Sequence, residues 1–181
     1  MADVRQVILC GFGGQGIVLA GTLLGHAAFH DGKWVSGTSS YGPAARGGEC
    51  ASEVVVSSSP VVYPHAIEAD ILLAMSQQGY DKYIGKAKPE VALVLYDGKF
   101  VSPHQAPVGR QVEIAATETA EQRLGSAMGA NIIALGALAA TGNVVSRDGL
   151  LEAIEKHVPE RFRERNMKAA ELGFELAAGR S

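Results

Sequence analysis

Gly11, Gly13 and Gly16 form the first motif whose spacing suggests chemistry. They lie in GFGGQG, directly after the apolar run VILC at residues 7–10. Between a strand and a helix, this spacing permits a tight turn and lets an anionic group approach the helix N-terminus. A dinucleotide site also needs an acidic residue at the end of the second strand, which here reads WVSGTSS. Because Asp31 precedes that strand, the fingerprint is incomplete, and a dinucleotide is the less favoured occupant.

Gln15 places a large amide inside this glycine-rich turn. A side chain of that size is a poor choice for tightness alone. It either caps its own helix or hydrogen-bonds to the facing loop, to a partner or to a ligand. Gly13, Gly14, Gln15 and Gly16 are therefore candidate contacts with a ligand or a partner.

The stretch SSYGPAARGGE at residues 39–49 is the most specific in the chain, and its proline and glycines predict a loop. Tyr41 and Arg46 are residue types enriched at interface hot spots. Pro43 stiffens the loop, which lowers the entropy lost on docking. Arg46 has two further interpretations, contact with an anion such as a phosphate or carboxylate, and a structural role within the loop. The predicted interface residues are Ser40, Tyr41, Gly42, Pro43, Arg46, Gly47 and Gly48.

Two other groups of side chains have structural interpretations. His26 and His30 have a zinc-compatible spacing, but no third ligand is evident nearby, so they are read as the polar stripe of an apolar helix. Cys10 precedes a helix N-terminus, where a thiolate would be stabilised, yet a small buried side chain is the commoner role. We therefore predict neither a metal site nor a reactive thiol here.

No catalytic residue is predicted. Ser39 and Ser40 with His65 or His104 have no spacing typical of a nucleophile and its base, and there is no nucleophile-elbow motif. Asn131 interrupts an otherwise apolar helix, so its amide is expected to bond a neighbouring loop.

Composition limits the class of protein. The 181 residues are 47% hydrophobic and carry a net charge of −3, which predicts one packed domain and gives no reason to expect nucleic acid or a membrane as partner. Two cysteines suit a reducing cytoplasm and are too few for an iron–sulfur cluster, which takes four. Neither a signal peptide nor a membrane-spanning run is evident, so a cytoplasmic protein is expected.

Strand and helix patterns alternate along the chain. Strands are predicted at residues 7–10, 32–37, 50–58, 69–76, 91–98 and 110–116, and helices at 16–30, 77–87, 117–125, 129–142, 146–157 and 160–178. Thr117 and Ser146 are the predicted N-caps of two helices. The alternation predicts a single α/β/α domain of three layers, with a mostly parallel sheet, a Rossmann-like start and a helical C-terminal part.

The first three elements predict a βαβ unit. The glycine loop 11–16 and the loop 38–49 are then expected side by side, at the carboxyl ends of the first two strands. Gly21 and Gly25, four residues apart, predict a close approach of the first helix to a neighbour.

GFGGQG followed by SYGPAARGG resembles the gamma subunit of the 2-oxoacid:ferredoxin oxidoreductases. The similarity continues through ADILLAMSQQGYDKY, LVLYDGKFV and GANIIALGALAATG and so covers nearly the whole chain. The segments SYGPAARGG and MSQQGYDKY are most similar to those of the gamma subunits of 2-oxoglutarate:ferredoxin oxidoreductases. The resemblance implies one gamma-type domain over residues 1–181.

In that family the complex oxidatively decarboxylates a 2-oxoacid, transfers the acyl group to coenzyme A and reduces ferredoxin. The resemblance implies that thiamine diphosphate, Mg²⁺ and [4Fe-4S] clusters belong to alpha, beta and ferredoxin-like delta subunits, and that this chain is a non-redox subunit inactive alone. YDGK and RDGL both lack the leading glycine of a thiamine motif. Gly13–Gly16 and Arg46 are then candidate contacts for coenzyme A or a partner. Alternatives are pyruvate, branched-chain or aryl 2-oxoacids as substrate, a self-contained nucleotide-binding oxidoreductase, and a regulatory binding module.

Overall fold

A computed structural model describes residues 3–42, 48–103 and 108–179. Its sheet has six strands: β1 Val4–Phe12, β2 Trp34–Tyr41, β3 Glu49–Ser57, β4 Ile71–Ala74, β5 Leu93–Asp97 and β6 Arg110–Ile114. The helices are α1 Ile17–His30, α2 Gln77–Tyr83, α3 Ala116–Leu124, α4 Ala130–Gly142, α5 Arg147–His157 and α6 Glu160–Ala178, with a short 3₁₀ turn at Ile84–Lys86. None of the described helices has the length and apolar character needed to cross a lipid bilayer.

The strands lie in the order β2-β3-β1-β4-β5-β6, and β3 alone runs against the others. The predicted α/β class and mostly parallel sheet are confirmed. The predicted βαβ unit differs in one respect, because β3 lies between β1 and β2. β2 and β3 form an antiparallel hairpin that the sequence patterns do not predict, and β2 extends through Tyr41, beyond its predicted end at residue 37. The strands thus leave only residues 42–48 between them, fewer than the expected loop 38–49, and residues 43–47 lie outside the described part of the chain.

The two faces of the sheet are covered unequally. One face carries the main core, in which side chains of α1, α4, α5 and α6 pack on alternate residues of the strands. The other face has a smaller core built around Tyr80 and Tyr83 of α2. Because α4 has neighbours on several sides, its residues Ala130–Ala139 are all buried. This explains why the helix is apolar around its whole circumference.

The two predicted helix caps have different outcomes. Ser146 caps α5 as expected, since its hydroxyl accepts a hydrogen bond from the Gly149 N–H. The prediction for Thr117 is wrong, because α3 begins one residue earlier and Thr117 lies within its first turn. Buried Asp97 takes over the capping role: its Oδ2 accepts bonds from the Thr117 N–H at 3.0 Å and from the Thr117 hydroxyl at 2.5 Å.

Candidate functional site

The glycine loop lies at the carboxyl end of β1, where it touches the loop that follows β2. Gly14 and Gly16 have φ values of 108° and 73°, which side-chain-bearing residues rarely adopt. The Gly13 N–H donates a 2.7 Å hydrogen bond to the Gly48 carbonyl. The two glycine-rich segments that the sequence singles out are thus joined backbone to backbone.

Gln15 fixes this loop to the sheet. Its Oε1 accepts a 2.9 Å bond from the Phe12 N–H, and its Nε2 donates a 2.7 Å bond to the carbonyl of Met75, just beyond β4. The structure shows a hydrogen bond from Gln15 to a neighbouring segment, and contact of Gln15 with a partner or a ligand stays a prediction. The helix cap is wrong, because Gly16 is the N-cap of α1 and no side chain bonds there.

Asn131 ties the start of α4 to the start of α1. Its Nδ2 donates a 3.0 Å bond to the Gly16 carbonyl, as the sequence predicts for an amide in an apolar helix. A Cβ at Gly16 would collide with this amide group. Gly129, the N-cap of α4, likewise has no side-chain capping bond. Two helix N-termini, each with a partial positive charge, therefore converge on one place.

A cavity of about 470 Å³ opens where these helix ends meet. Its walls come from the glycine loop, the α3–α4 connection and the first turns of α6. Exposed apolar side chains from four different parts of the chain lie at its rim: Leu19, Phe100, Met128 and Phe162. The volume lies within the range of about 300–1,000 Å³ that is typical of small-molecule sites.

Arg165 brings a positive charge to this cavity. It donates to the Ser126 hydroxyl at 2.5 Å and to the Met128 carbonyl at 2.9 Å, while its buried Nε has no partner. The sequence interpretation of 159–168 as a solvated helix face therefore missed one wall of this cavity. The pair Phe162 and Asn166, four residues apart, was the available signal, since such residues share one helix face.

The second glycine-rich segment is only partly described. Ser40 and Tyr41 are the last residues of β2, and both are exposed, with 71% of Tyr41 accessible. Gly42 continues the hairpin through a 2.7 Å bond to the Glu49 carbonyl. Pro43, Arg46 and Gly47, which the sequence assigns to an interface, lie outside the described residues.

The site does not meet the requirements of a dinucleotide fold. β3 separates β1 from β2, so the position that normally supplies the ribose-binding acid is one strand further away, about 5 Å more distant. Glu49 begins the strand next to β1, but its Oε1 is bound by the Lys82 ammonium and the Tyr83 hydroxyl. These contacts occupy the carboxylate and raise the pKa of Lys82, chiefly through that hydrogen bond.

In the described part of the hairpin, His65 contacts Thr38 in a geometry that does not suit a nucleophile and its base. His65 Nδ1 lies 3.5 Å from Thr38 Oγ1 and 3.3 Å from Glu53 Oε2, so one ring nitrogen faces both groups and cannot relay a proton between them. Burial alone would raise the pKa of Glu53, but Lys86, the Ala66 N–H and His65 together lower it. This cluster anchors the segment after β3. His104 lies outside the described residues.

Both cysteines are buried thiols. Burial, with a smaller contribution from the Glu49 carboxylate, raises the pKa of Cys10 and of Cys50. A thiol whose pKa is raised carries little of the reactive thiolate near neutral pH. The interpretation of Cys10 as a packing residue is therefore supported against that of a nucleophile.

His26 and His30 meet a third histidine from α5. The ring of His157 stacks on His26 with centroids 3.5 Å apart, and lies 6.1 Å from His30. Glu152 and Lys156 are the charged groups nearby on α5. Over residues 3–42, 48–103 and 108–179, no set of three or more His, Cys, Asp or Glu side chains is arranged to hold a metal ion. The three rings form a packing contact between α1 and α5.

This histidine contact predicts a pH-dependent stability. Burial, then the neighbouring His157 and His30, lower the pKa of His26 from its ordinary value of 6.5. His26 therefore binds a proton more readily in the unfolded chain than in the folded chain. The free energy of unfolding falls as the pH drops below the pKa of His26 in the unfolded chain. Between about pH 7.5 and pH 5.5, thermal denaturation is expected to show a smaller Tm loss in His26→Gln than in the wild type, by at most about 4 °C. Equal losses in both proteins would contradict this account.

Comparison with known proteins agrees with this arrangement. The model of the pyruvate ferredoxin/flavodoxin oxidoreductase family matches residues 6–176. The chain is 43% identical to 2-oxoglutarate synthase subunit KorC of Methanocaldococcus jannaschii, over 96% of this chain and 94% of the relative. It is 31% identical to ketoisovalerate oxidoreductase subunit VorA of Methanothermobacter thermautotrophicus, over 95% of this chain but only 36% of VorA.

Among solved structures, the gamma subunit of a keto/oxoacid ferredoxin oxidoreductase from Geobacter sulfurreducens is 36% identical and superposes with a TM-score of 0.87 over 98% of each chain. Sequence and fold thus agree over almost the full length of the chain. This chain belongs to the pyruvate ferredoxin/flavodoxin oxidoreductase family.

Proposed function

We propose that this chain is the gamma subunit of a multi-subunit 2-oxoglutarate:ferredoxin oxidoreductase. The observation that carries the proposal is the glycine-loop edge itself. Its polar side chains, Gln15 and Asn131, are used to hold backbone in place. What remains facing outward is mostly backbone and apolar surface around the cavity of about 470 Å³, with Arg165 as the charged side chain in its lining. Such an edge suits docking and ligand contact better than bond-breaking chemistry. The likeness to KorC, which spans 94% of that subunit, supports 2-oxoglutarate as the substrate of the complex.

The reaction of the complex is an oxidative decarboxylation. 2-Oxoglutarate loses carbon dioxide, its acyl group passes to coenzyme A as succinyl-CoA, and two electrons reduce ferredoxin. Thiamine diphosphate, Mg²⁺ and [4Fe-4S] clusters belong to the other subunits in this proposal. The chain has two cysteines, fewer than the four that an iron–sulfur cluster takes, which supports a non-redox role for this chain. Both free thiols also suit the cytoplasm, where we place the complex.

The partners are alpha and beta subunits and a ferredoxin-like delta subunit. VorA supports a tight association, because a segment similar to this chain makes up only 36% of that longer polypeptide. This separate chain therefore corresponds to one part of the longer VorA polypeptide. We assign docking to the end of β2 and the residues that follow it, through Ser40, Tyr41, Gly42, Pro43, Arg46, Gly47 and Gly48.

Coenzyme A is the ligand that we assign to the glycine-loop edge. Its phosphates match the two helix N-termini at Gly16 and Gly129, and its adenine ring matches the apolar rim. Arg165 adds a positive charge within the same cavity. Gly13, Gly14, Gln15 and Gly16, with Arg46, are the proposed contacts on the other side.

The proposal predicts that the complex is inactive without this chain. Alpha, beta and delta subunits purified without it should lose 2-oxoglutarate-dependent and coenzyme A-dependent dye reduction, and adding the purified chain should restore the activity. The same assay with pyruvate and with 2-oxoisovalerate shows which 2-oxoacid the complex uses.

Three outcomes would contradict the proposal. Activity that is unchanged without the chain would point to a regulatory or unrelated module. Restoration with pyruvate alone would assign a different substrate. A chain that binds a flavin or nicotinamide cofactor on its own would favour a self-contained oxidoreductase.

A further inference from the structure

β2 is an open strand edge that carries no protective feature. Within the described residues it pairs with β3 on one side only, along its full length of eight residues. Its sequence, WVSGTSSY, contains neither charge nor proline. The opposite edge, β6, has five residues that include Arg110 and Glu113. Long uncharged edges invite pairing with another strand, and soluble proteins normally block them.

The hydrogen-bonding pattern shows which backbone groups point outward. The Gly42 N–H donates to the Glu49 carbonyl, and in an antiparallel ladder every second residue bonds the partner strand. The even-numbered residues of β2 therefore face β3. The N–H and C=O groups of the odd-numbered ones point away from the sheet: Val35, Gly37, Ser39 and Tyr41.

We infer that a second copy of this chain pairs with β2 in antiparallel fashion, about a two-fold axis through Thr38. In this register Val35 meets Tyr41 of the other copy and Gly37 meets its Ser39. It is the symmetric register in which all four outward-facing residues of each copy find partners. No like charges meet, and an aromatic side chain lies opposite a β-branched one, a favourable cross-strand pair. The two six-stranded sheets become one continuous sheet.

A groove beside β2 can hold the side chain of Tyr41 of the second copy. It has a volume of about 680 Å³ and lies between β2 and α1, on the face to which Val35 and Tyr41 belong. Small residues form much of its floor, namely Gly21, Gly25, Gly37, Ser39 and Ser52. The second copy's Tyr41, 71% exposed in the single chain, lies opposite Val35 and so projects into this groove.

This inference goes beyond the proposed function and does not depend on it. The glycine loop remains available for larger subunits, whereas Ser40 and Tyr41 belong to both proposed contacts, so a second copy and the larger subunits would compete for the end of β2. The solution mass of the purified chain tests the inference, whereas reconstitution of the complex tests the function.

Charge pairs across the two-fold axis provide the decisive experiment. Ser36 faces Ser40 of the other copy, so Ser36→Lys with Ser40→Lys sets lysines against lysines, and Ser36→Glu with Ser40→Glu sets glutamates against glutamates. In sedimentation analysis the wild type should have twice the mass of one chain, and each double variant should dissociate at least about 100-fold more readily. An equimolar mixture of the two variants should restore the dimer. Circular dichroism confirms that each variant is folded.

Two tyrosines give a matched control. Tyr41→Ala should raise the dimer dissociation constant at least about tenfold, because the groove loses its occupant. Tyr63→Ala removes a ring that is 56% exposed elsewhere on the surface and should leave the constant unchanged. A wild type that stays monomeric at high concentration would overturn the inference. So would a dimer that both charge variants leave intact.

Discussion

Gly173→Ala is expected to lower the free energy of unfolding by about 3 kcal/mol, although alanine is the better helix former. Gly173 lies where α6 crosses α4. An added Cβ would stand 2.8 Å from the Ala137 nitrogen and 2.9 Å from the Gly136 Cα, and closer still to the Ile133 carbonyl. Those atoms belong to backbone, which cannot rotate away as a side chain can. The two helices must therefore separate, and the packing of α4 on the core is lost with them.

Gly85→Ala is the matched control for this result. A Cβ at Gly85 meets no atom within 4 Å, and its φ does not require glycine. The same substitution there should change stability by no more than about 0.5 kcal/mol. Urea denaturation of both variants measures the difference. If Gly173→Ala were as stable as the wild type, the crossing would not be a backbone-to-backbone contact.

The close helix crossing shows what sequence reasoning can and cannot find. Gly21 and Gly25 predict a close approach because they lie on one helix at a fixed spacing. The structure confirms it: a Cβ at Gly21 would lie 2.6 Å from the Ser52 Cβ of β3. Gly136 and Gly173 lie on different helices, so no local pattern connects them. Only the tertiary packing brings the pair together.

Strand order was the part of the fold that local patterns could not supply. Apolar runs identify β1, β3 and β4 because their periodicity is local. The insertion of β3 between β1 and β2 depends on pairing between Val54 and Val7 and between Val54 and Gly37, which are distant in sequence. The same pairing extends β2 through Tyr41, since polar residues such as Ser39 and Ser40 gain ladder hydrogen bonds there.

The candidate site was predictable at the glycine loop and less so at its other wall. The loop has a steric signature, and Gln15 stood out as an unexpected side chain within it. The wall formed by α6 had only the spacing of Phe162 and Asn166 as a signal, and charged residues surround both of them in the sequence. The cavity exists only because α6 packs beside the first turn of α4, where Arg165 bonds the Met128 carbonyl.

Gln15→Glu is expected to destabilise the protein by about 2 kcal/mol at pH 8. The substitution preserves shape and the acceptor for the Phe12 N–H. It removes the Nε2 donor, so a carboxylate oxygen faces the Met75 carbonyl, which the native amide reaches at 2.7 Å. Two acceptors then oppose each other at a partly buried position. The glycine loop loses its tie to the end of β4, and the reconstituted complex should lose activity together with stability.

The pH dependence of this variant separates a lost hydrogen bond from a general packing defect. A protonated glutamic acid can again donate to the Met75 carbonyl, so the fold favours the neutral form and raises the pKa of the introduced side chain. Stability tied to a raised pKa is present at low pH and is lost as the pH rises. The difference in free energy of unfolding between variant and wild type should therefore become smaller as the pH falls from 8 to 5. The His26 contribution lowers the stability of both proteins over the same range. Gln78→Glu, at an exposed position, should show almost no gap at either pH. A gap for Gln15→Glu that stays constant across this range would mean that Gln15 acts through its volume and not through its amide proton.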